Sequence, residues 1–147
     1  MTLIEFVVSI IVLSIIVVLA VPTLSTMINQ QNLNKSADEL IMLLKHARSI
    51  AILERRTVLV HIGTLSPVDP QILHWQPSGN TVLKSADTTL TFMPNGLLNI
   101  PSHAMVHTPT AFCSFMICDQ AVAAQRSKTI SISRMGRIQK VVEGKCL

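Results

Sequence analysis

Residues 2–22, TLIEFVVSIIVLSIIVVLAVP, decide the fold, and Glu5 is the one ionisable side chain among them. The 19 residues from Leu3 to Val21 correspond to about 28 Å of helix, close to the hydrocarbon thickness of a bilayer. A carboxylate costs about 2.5–3.5 kcal/mol at the centre of a membrane helix and less near the interface, so Glu5 is expected to have a partner. The alternative is a glutamate stabilised by the dipole at a helix N-terminus and hydrated by lipid headgroups.

Beyond Pro22 the sequence changes from uniformly apolar to amphipathic. Apolar residues recur at steps of three and four, as in Leu33, Ala37, Leu40 and Leu44, while charged residues lie mostly elsewhere. The pattern predicts one continuous helix over about 2–55, kinked or loosened at Pro22 because proline lacks a backbone N–H. We expect 1–27 to be its transmembrane or filament-core half and 28–56 its amphipathic half, packed on the following domain.

Residues 57–147 have the texture of a small β-rich domain. Short runs rich in β-branched residues alternate with turn signals such as 94–96, Pro-Asn-Gly. The sequence therefore predicts an α+β fold, in which a long N-terminal helix is followed by a small globular domain of antiparallel sheets. The strands are expected at 57–62, 72–76, 81–84, 90–93, 104–107, 111–117, 129–133 and 137–142.

The positive charge of the chain lies in its C-terminal tail. Residues 126–147 contain six basic side chains and one acidic side chain, whereas 1–125 contain six basic and seven acidic ones. Such asymmetry is typical of a surface that binds a polyanion or an acidic partner, although a solvated edge explains it equally simply.

The three cysteines are Cys113, Cys118 and Cys146. A domain carried across an inner membrane folds in an oxidising compartment, where disulfides persist. Pairing of Cys118 with Cys146 would stabilise the fold by about 3–4 kcal/mol in the loop-entropy model, and Cys113 could also pair with Cys146. A Cys113–Cys118 bond is disfavoured, because an odd separation within one strand places the two side chains on opposite faces. We expect Cys146 to be in a disulfide, with Cys118 as the favoured partner.

No pattern in the sequence indicates a cofactor, a metal site or an enzyme. His103 and His107 have a spacing that aligns on a helix, but Pro101 and Pro109 bracket them in an irregular segment. The chain has no CxxC pair, no phosphate-binding glycine loop and no nucleophile–histidine–acid arrangement. We therefore expect a non-enzymatic protein.

The N-terminal motif Thr2-Leu3-Ile4-Glu5, followed by an apolar helix, resembles the mature N-terminus of type IV pilins and of the pseudopilins of type II secretion. In that family a peptidase removes a short leader and methylates the new N-terminus, usually Phe, where this chain has Met1. The resemblance implies that Glu5 of one subunit pairs with the Met1 amine of the next as the filament assembles. It also implies insertion in the inner membrane, with a periplasmic domain, before assembly into a surface filament.

Further blocks resemble the GspH/FimT/FimU type of minor pilin. They are 47–51 with 55–58, then 92–96, and finally 115–119, 130–133 and 136–138, with a late Cys146. The resemblance implies a minor pilin of the pilus tip or priming complex, with other major and minor pilins as partners. The same fold in a type II secretion pseudopilin is an alternative.

Some FimT-like proteins bind DNA for natural transformation through a Gly-Arg-x-Arg motif, which makes DNA binding a second possible function. Here the match is Gly136-Arg137-Ile138-Gln139, so the second arginine is missing. In a regular strand Arg137 and Gln139 share one face and Lys140 lies on the other, so Lys140 is not expected to replace that arginine. The DNA-binding candidates are Arg134, Arg137 and Lys140, which would give weak, sequence-independent binding.

Overall fold

The structure is a computed structural model that describes residues 2–63, 72–86, 88–99 and 113–146, without the side chains of 19–23. Met1, the side chain of Pro22 and the expected strand at 104–107, with His103 and His107, lie outside the described residues. Within them, no helix combines the length and the apolar character needed to cross a membrane. The membrane span and the boundaries at 27/28 and 56/57 stay predictions.

One helix, α1 (Leu3–Leu53), accounts for the first third of the chain, as the sequence predicts. Its buried residues recur at steps of three and four, which places them on one stripe facing the sheets. The helix ends where Glu54 N–H donates to the carbonyl of Ile50 at 2.9 Å and Arg55 takes a left-handed φ of 50°. The stripe consists of Leu33, Ala37, Leu40, Leu44, Ala47 and Ala51.

Within the described residues, eight strands follow α1 and form two four-stranded sheets. The first sheet has the order β2-β1-β4-β5 and the second has the order β3-β6-β7-β8. The strands are β1 (Val58–Ile62), β2 (Ile72–Trp75), β3 (Val82–Leu83), β4 (Thr88–Phe92), β5 (Leu98–Asn99), β6 (Cys113–Cys118), β7 (Ser127–Ile132) and β8 (Ile138–Gly144). Seven of these match expected strands, whereas β5 was not predicted, because the sequence around Leu98 and Asn99 has no run of β-branched residues.

The α+β architecture is confirmed, but one strand pair differs from the antiparallel prediction. β1 and β2 run parallel, with Leu59 opposite Ile72 and Ile62 opposite Trp75. Residues 63–71 separate these two strands, which is longer than the two-residue loop of a tight antiparallel hairpin. Each of the other strand pairs within the described residues is antiparallel.

The core lies between the α1 stripe and the inner faces of both sheets. Strand β4 alternates buried and half-buried residues, and Leu90 and Phe92 are both fully buried. In the second sheet Phe115 and Ile130 occupy the same core. This two-layer packing buries one stripe of the helix and one face of each sheet, and it fixes the position of α1 relative to both.

A buried polar contact also joins the helix to the domain. Ser36 is fully buried, its hydroxyl lies 2.9 Å from that of Thr81, and it accepts a 2.9 Å hydrogen bond from the backbone N–H of Ser78. Each buried polar group of this cluster thus has a partner, as stable burial requires. The cluster fixes the position of α1 along its axis relative to the start of β3.

Candidate assembly and docking site

The N-terminal part of α1 carries Glu5 on an apolar surface that no described part of the chain covers. The large apolar side chains from Leu3 to Val18 are 44–84% exposed. Glu5 is in the first helical turn, where a carboxylate is favoured by the helix dipole. Among the described residues its side chain forms no ion pair, and Ser9 donates its hydroxyl to the Glu5 backbone carbonyl at 2.8 Å.

At the other end of the chain, a disulfide holds the tail against the second sheet. Cys118 ends β6 and is bonded to Cys146, with their Cα atoms 5.8 Å apart. This confirms the favoured pairing and leaves Cys113 as a buried free thiol. Burial raises the pKa of that thiol to about 11, so Cys113 is protonated and unreactive near neutral pH.

The three expected DNA-binding residues cluster at the β7–β8 hairpin, and all three are exposed. Arg134 lies in the hairpin turn, and the backbone of Arg137 lies opposite Ser133, whose N–H donates to the Arg137 carbonyl at 3.0 Å. Lys140 pairs with Ser131. Within the described residues none of these three cations has an acidic side chain within ion-pair distance.

The prediction that Lys140 lies on the opposite face from Arg137 is wrong. The ladder shifts between Ser131 and Ile132, because Ile132 pairs with Ile138 while Ser131 pairs with Lys140. The extra residue, Gln139, is a β-bulge, and a bulge changes the alternation of side chains beyond it. Ser133, the residue after β7, lies two positions beyond Ser131 on the same extended chain, so the residues opposite them, Arg137 and Lys140, are on the same face.

Two hairpin turns of the same type lie against α1 near Arg48. In each turn a glycine with positive φ donates a hydrogen bond to the carbonyl three residues earlier: Gly96 (φ 78°) to Met93 and Gly136 (φ 68°) to Ser133, 2.8 and 2.9 Å. A Cβ on Gly136 would lie 2.9 Å from the Gly96 carbonyl oxygen and 3.1 Å from Arg48 Cδ. Glycine is therefore required at this contact by both its φ and its lack of a side chain.

Arg48 is thus the side chain on which two separate sequence blocks converge. The backbone N–H of Leu98 donates to the carbonyl of Arg134 at 2.8 Å, which joins the first sheet to the turn of the second. Arg48 Nε is buried and, among the described residues, has no hydrogen-bond partner. The sequence blocks 47–51, 92–96 and 136–138 were recognised separately, but no signal in any of them indicates that they meet.

A groove runs from Arg48 along the open side of the second sheet. It encloses about 770 Å³ between α1 and β8. Its floor is apolar, with Ile41 and Ile52 from the helix and Ile138 and Val141 from the strand. Lys45, Arg48 and Arg137 also line it, and the described lining residues include no acidic one. This groove was not predicted from the sequence because its two walls are about ninety residues apart in the chain.

The described histidines do not form a metal centre. His61 and His74 lie opposite each other on β1 and β2, with ring centroids 5.8 Å apart. His61 Nδ1 is 3.0 Å from the hydroxyl of Thr89. Within the described ranges no three potential ligands among His, Cys, Asp and Glu come together. The absence of a cofactor stays a prediction.

Comparison with known proteins places the chain in a family. The sequence model of the type II transport protein GspH matches residues 36–136, which is more than half of the chain. No curated protein sequence matches. Among solved structures, the type IV minor pilin FimU of Pseudomonas aeruginosa is similar, with a TM-score of 0.50 and 24% sequence identity over 80% of this chain and 97% of that one.

The fold comparison and the family match agree with the architecture described above. The long helix packed on two small sheets is the fold shared with the FimU structure. The matched segment extends from the buried part of α1 to Gly136 in the β7–β8 turn. The chain therefore belongs to the GspH family of type II transport proteins, and it shares its fold with the minor pilin FimU.

Proposed function

We propose that this chain is a non-enzymatic minor pilin that assembles into the tip or priming complex of a type IV pilus. The observation that carries the proposal is the exposed apolar half of α1, in which Glu5 is the one ionisable side chain before Lys35. A contiguous apolar surface of this size marks a membrane or protein interaction site. Before assembly it is covered by the lipid of the inner membrane, with the globular domain in the periplasm, and afterwards by the helices of neighbouring pilins.

Glu5 provides the register of assembly in this proposal. When the helix enters the filament core, the Glu5 carboxylate leaves water, and an unpaired charge there costs several kcal/mol. The N-terminal amine of Met1 in the adjoining subunit is a cation that can neutralise it. A helix placed one turn too high or too low would leave both charges unpaired, so the pair selects a single axial position. Met1 is also the expected methylation site.

The test is the Glu5→Gln variant, which removes the charge and keeps the size of the side chain. We expect it to reach the inner membrane in normal amount but to be depleted at least tenfold from sheared, purified filaments, since breaking a buried pair costs about 3–5 kcal/mol. Ser14→Ala is the matched control, because it changes a polar residue on the same exposed half of the helix. Incorporation of Glu5→Gln at the level of the control would refute the pairing role.

The family is named after a type II transport protein, which supports assembly into a different filament as an alternative. In that case the chain is a pseudopilin of a type II secretion system, and it extends a periplasmic fibre by the same helix packing and the same Glu5 pair. Immunodetection of the chain in purified surface pili distinguishes the two filaments. Its presence there supports the pilus, whereas its restriction to periplasmic fibres of a secretion complex supports the pseudopilin.

The β-bulge in β8 supports DNA binding as a second candidate function. Arg137 and Lys140 share one face, and Arg134 lies in the adjoining turn, so three exposed cations meet at one hairpin. Duplex DNA would bind through its phosphates, without sequence preference, with a salt slope of about 0.9 per neutralised phosphate. A gel shift with the full chain in detergent tests this proposal. Arg137→Gln and Lys140→Gln should each weaken binding and reduce the slope by about one, whereas unchanged binding in both variants would refute it.

A further inference from the structure

The groove between α1 and β8 combines an apolar floor with polar groups that the fold does not use. The helix packs on β6 and β7, and β8, one strand further out, forms the far wall of the groove. Its floor combines the half-buried Ile41 and Ile138 with Ile52 and Val141, which are 44% and 42% exposed. Covering these apolar side chains would be favourable for any occupant that fits.

One wall of the groove is a strand edge with which no other described strand pairs. β8 pairs with β7 on one side and is the last strand of the second sheet. Six of its seven residues are exposed. An edge of this kind presents free backbone N–H and C=O groups, which can pair with an added extended segment. The geometry of this wall therefore favours a peptide strand over a compact ligand.

The charges of the groove specify the occupant further. Lys45, Arg48 and Arg137 line it, and the described lining residues contribute no carboxylate. Arg48 is fixed beneath the turns of Gly96 and Gly136, and its buried Nε has no hydrogen-bond partner in the described structure. A guanidinium donates strong, directional hydrogen bonds to carboxylates. The group that best fits this end of the groove is an acidic side chain.

We propose that this groove docks an extended acidic segment of a neighbouring subunit, which adds to β8 as a further strand and places a carboxylate at Arg48. The inference rests on the proposed function, because it supplies a contact between globular domains that the helix-core pair does not provide. Apolar residues on one face of the added strand cover Ile41 and Val141. The Lys45 and Arg137 charges favour acidic segments and disfavour basic ones.

The experiment measures, by fluorescence anisotropy, binding to the full chain in detergent of a short fluorescent peptide that carries valine and one glutamate on one face of the strand and threonine on the other. A peptide with glutamine in place of glutamate should bind about tenfold more weakly, as expected for loss of a charge-assisted hydrogen bond. Lys45→Gln should weaken binding of the acidic peptide about threefold. Lys84→Gln is the matched control, since it removes the same charge from an exposed residue that follows β3, at the opposite edge of the second sheet from β8, and should leave binding unchanged.

Addition of the peptide as a strand also requires free N–H groups on the peptide backbone. N-methylation of alternate peptide bonds removes the N–H groups that would pair with β8 and should abolish binding. Equal affinities for the glutamate and glutamine peptides, equal losses in Lys45→Gln and Lys84→Gln, or unimpaired binding of the methylated peptide would each overturn the inference. If Glu5→Gln still fails to enter filaments in that case, the docking inference is wrong while the proposed function stands.

Discussion

Removal of the Cys118–Cys146 disulfide should destabilise the globular domain more than any other single change outside the core. The bond joins the end of β6 to the residues after β8 and therefore closes a loop across β7, with a sequence separation of 28. The loop-entropy relation gives about 3–4 kcal/mol for a loop of that length at 25 °C. Breaking the bond should also release β8, because the tail that holds this edge strand in place is then free.

Cys146→Ser is the suitable variant because Cys146 is only half-buried, whereas Cys118 is fully buried and its replacement would add a core defect. For a domain of this size, 1 kcal/mol corresponds to about 4–8 °C in Tm. We expect the Tm of the full chain in detergent, followed by circular dichroism, to fall by at least about 12 °C. A reductant should lower the wild-type Tm to the same value and leave that of Cys146→Ser unchanged.

Cys113→Ala serves as the control, since it removes the buried free thiol and leaves the disulfide intact. Its Tm should remain sensitive to reductant. If Cys146→Ser lowers the free energy of unfolding by less than about 1 kcal/mol, or if the wild-type Tm does not respond to reductant, the reasoning from loop closure is refuted.

Three further predictions concern the packing around α1. Gly136→Ala should lower the free energy of unfolding by about 1–2 kcal/mol, because alanine is strained at the left-handed φ of this position. Gly144→Ala should lower it less, because its added Cβ meets nothing closer than 3.5 Å. Equal urea midpoints for the two variants would contradict this prediction. Ser36→Ala should lose about 1–3 kcal/mol in urea unfolding, because the buried Ser78 N–H loses its acceptor. Iodoacetamide should not modify Cys113 at pH 8 until the chain is unfolded, since burial raises the pKa of this thiol from 9.0 to about 11. Because the thiol loses its proton more easily in the unfolded chain, the free energy of unfolding should fall as the pH rises from about 9 to about 11.

The parts of the fold that were predicted from the sequence are those whose signal is local. The three- and four-residue spacing of Leu33, Ala37 and Leu40 identifies a helix wherever it packs, and seven of the eight strands carry their own runs of β-branched residues. The parallel pairing of β1 with β2 was not predicted, because strand direction depends on the path of the connection and not on the residues of either strand.

The site was predicted less completely, for the same physical reason. Glu5 and the basic residues of the tail were identified by their charge alone. The bulge at Gln139, which brings Arg137 and Lys140 to one face, arises from the pairing of β8 with β7 and has no distinct sequence signal. The position of Arg48 between the Gly96 and Gly136 turns depends on contacts between segments about forty residues apart.

The two proposed binding surfaces, the groove and the cation cluster of the β7–β8 hairpin, share Arg137 but differ in their other cations. Arg137 belongs both to the groove lining and to the cation cluster of the hairpin, whereas Lys45 lies only in the groove and Lys140 only in the cluster. Lys45→Gln should therefore weaken peptide docking and spare DNA binding. Loss of both activities in Lys45→Gln would show that the two surfaces are not separate.

A filament map at side-chain resolution that contains this subunit would test the pairing of Glu5 most directly. We expect the Glu5 carboxyl group to lie about 3–4 Å from the N-terminal amine of the adjoining subunit, with water excluded from the pair. A map that shows the Glu5 carboxyl group in contact with water, and no amine from a neighbouring subunit beside it, would contradict the proposed mechanism of assembly.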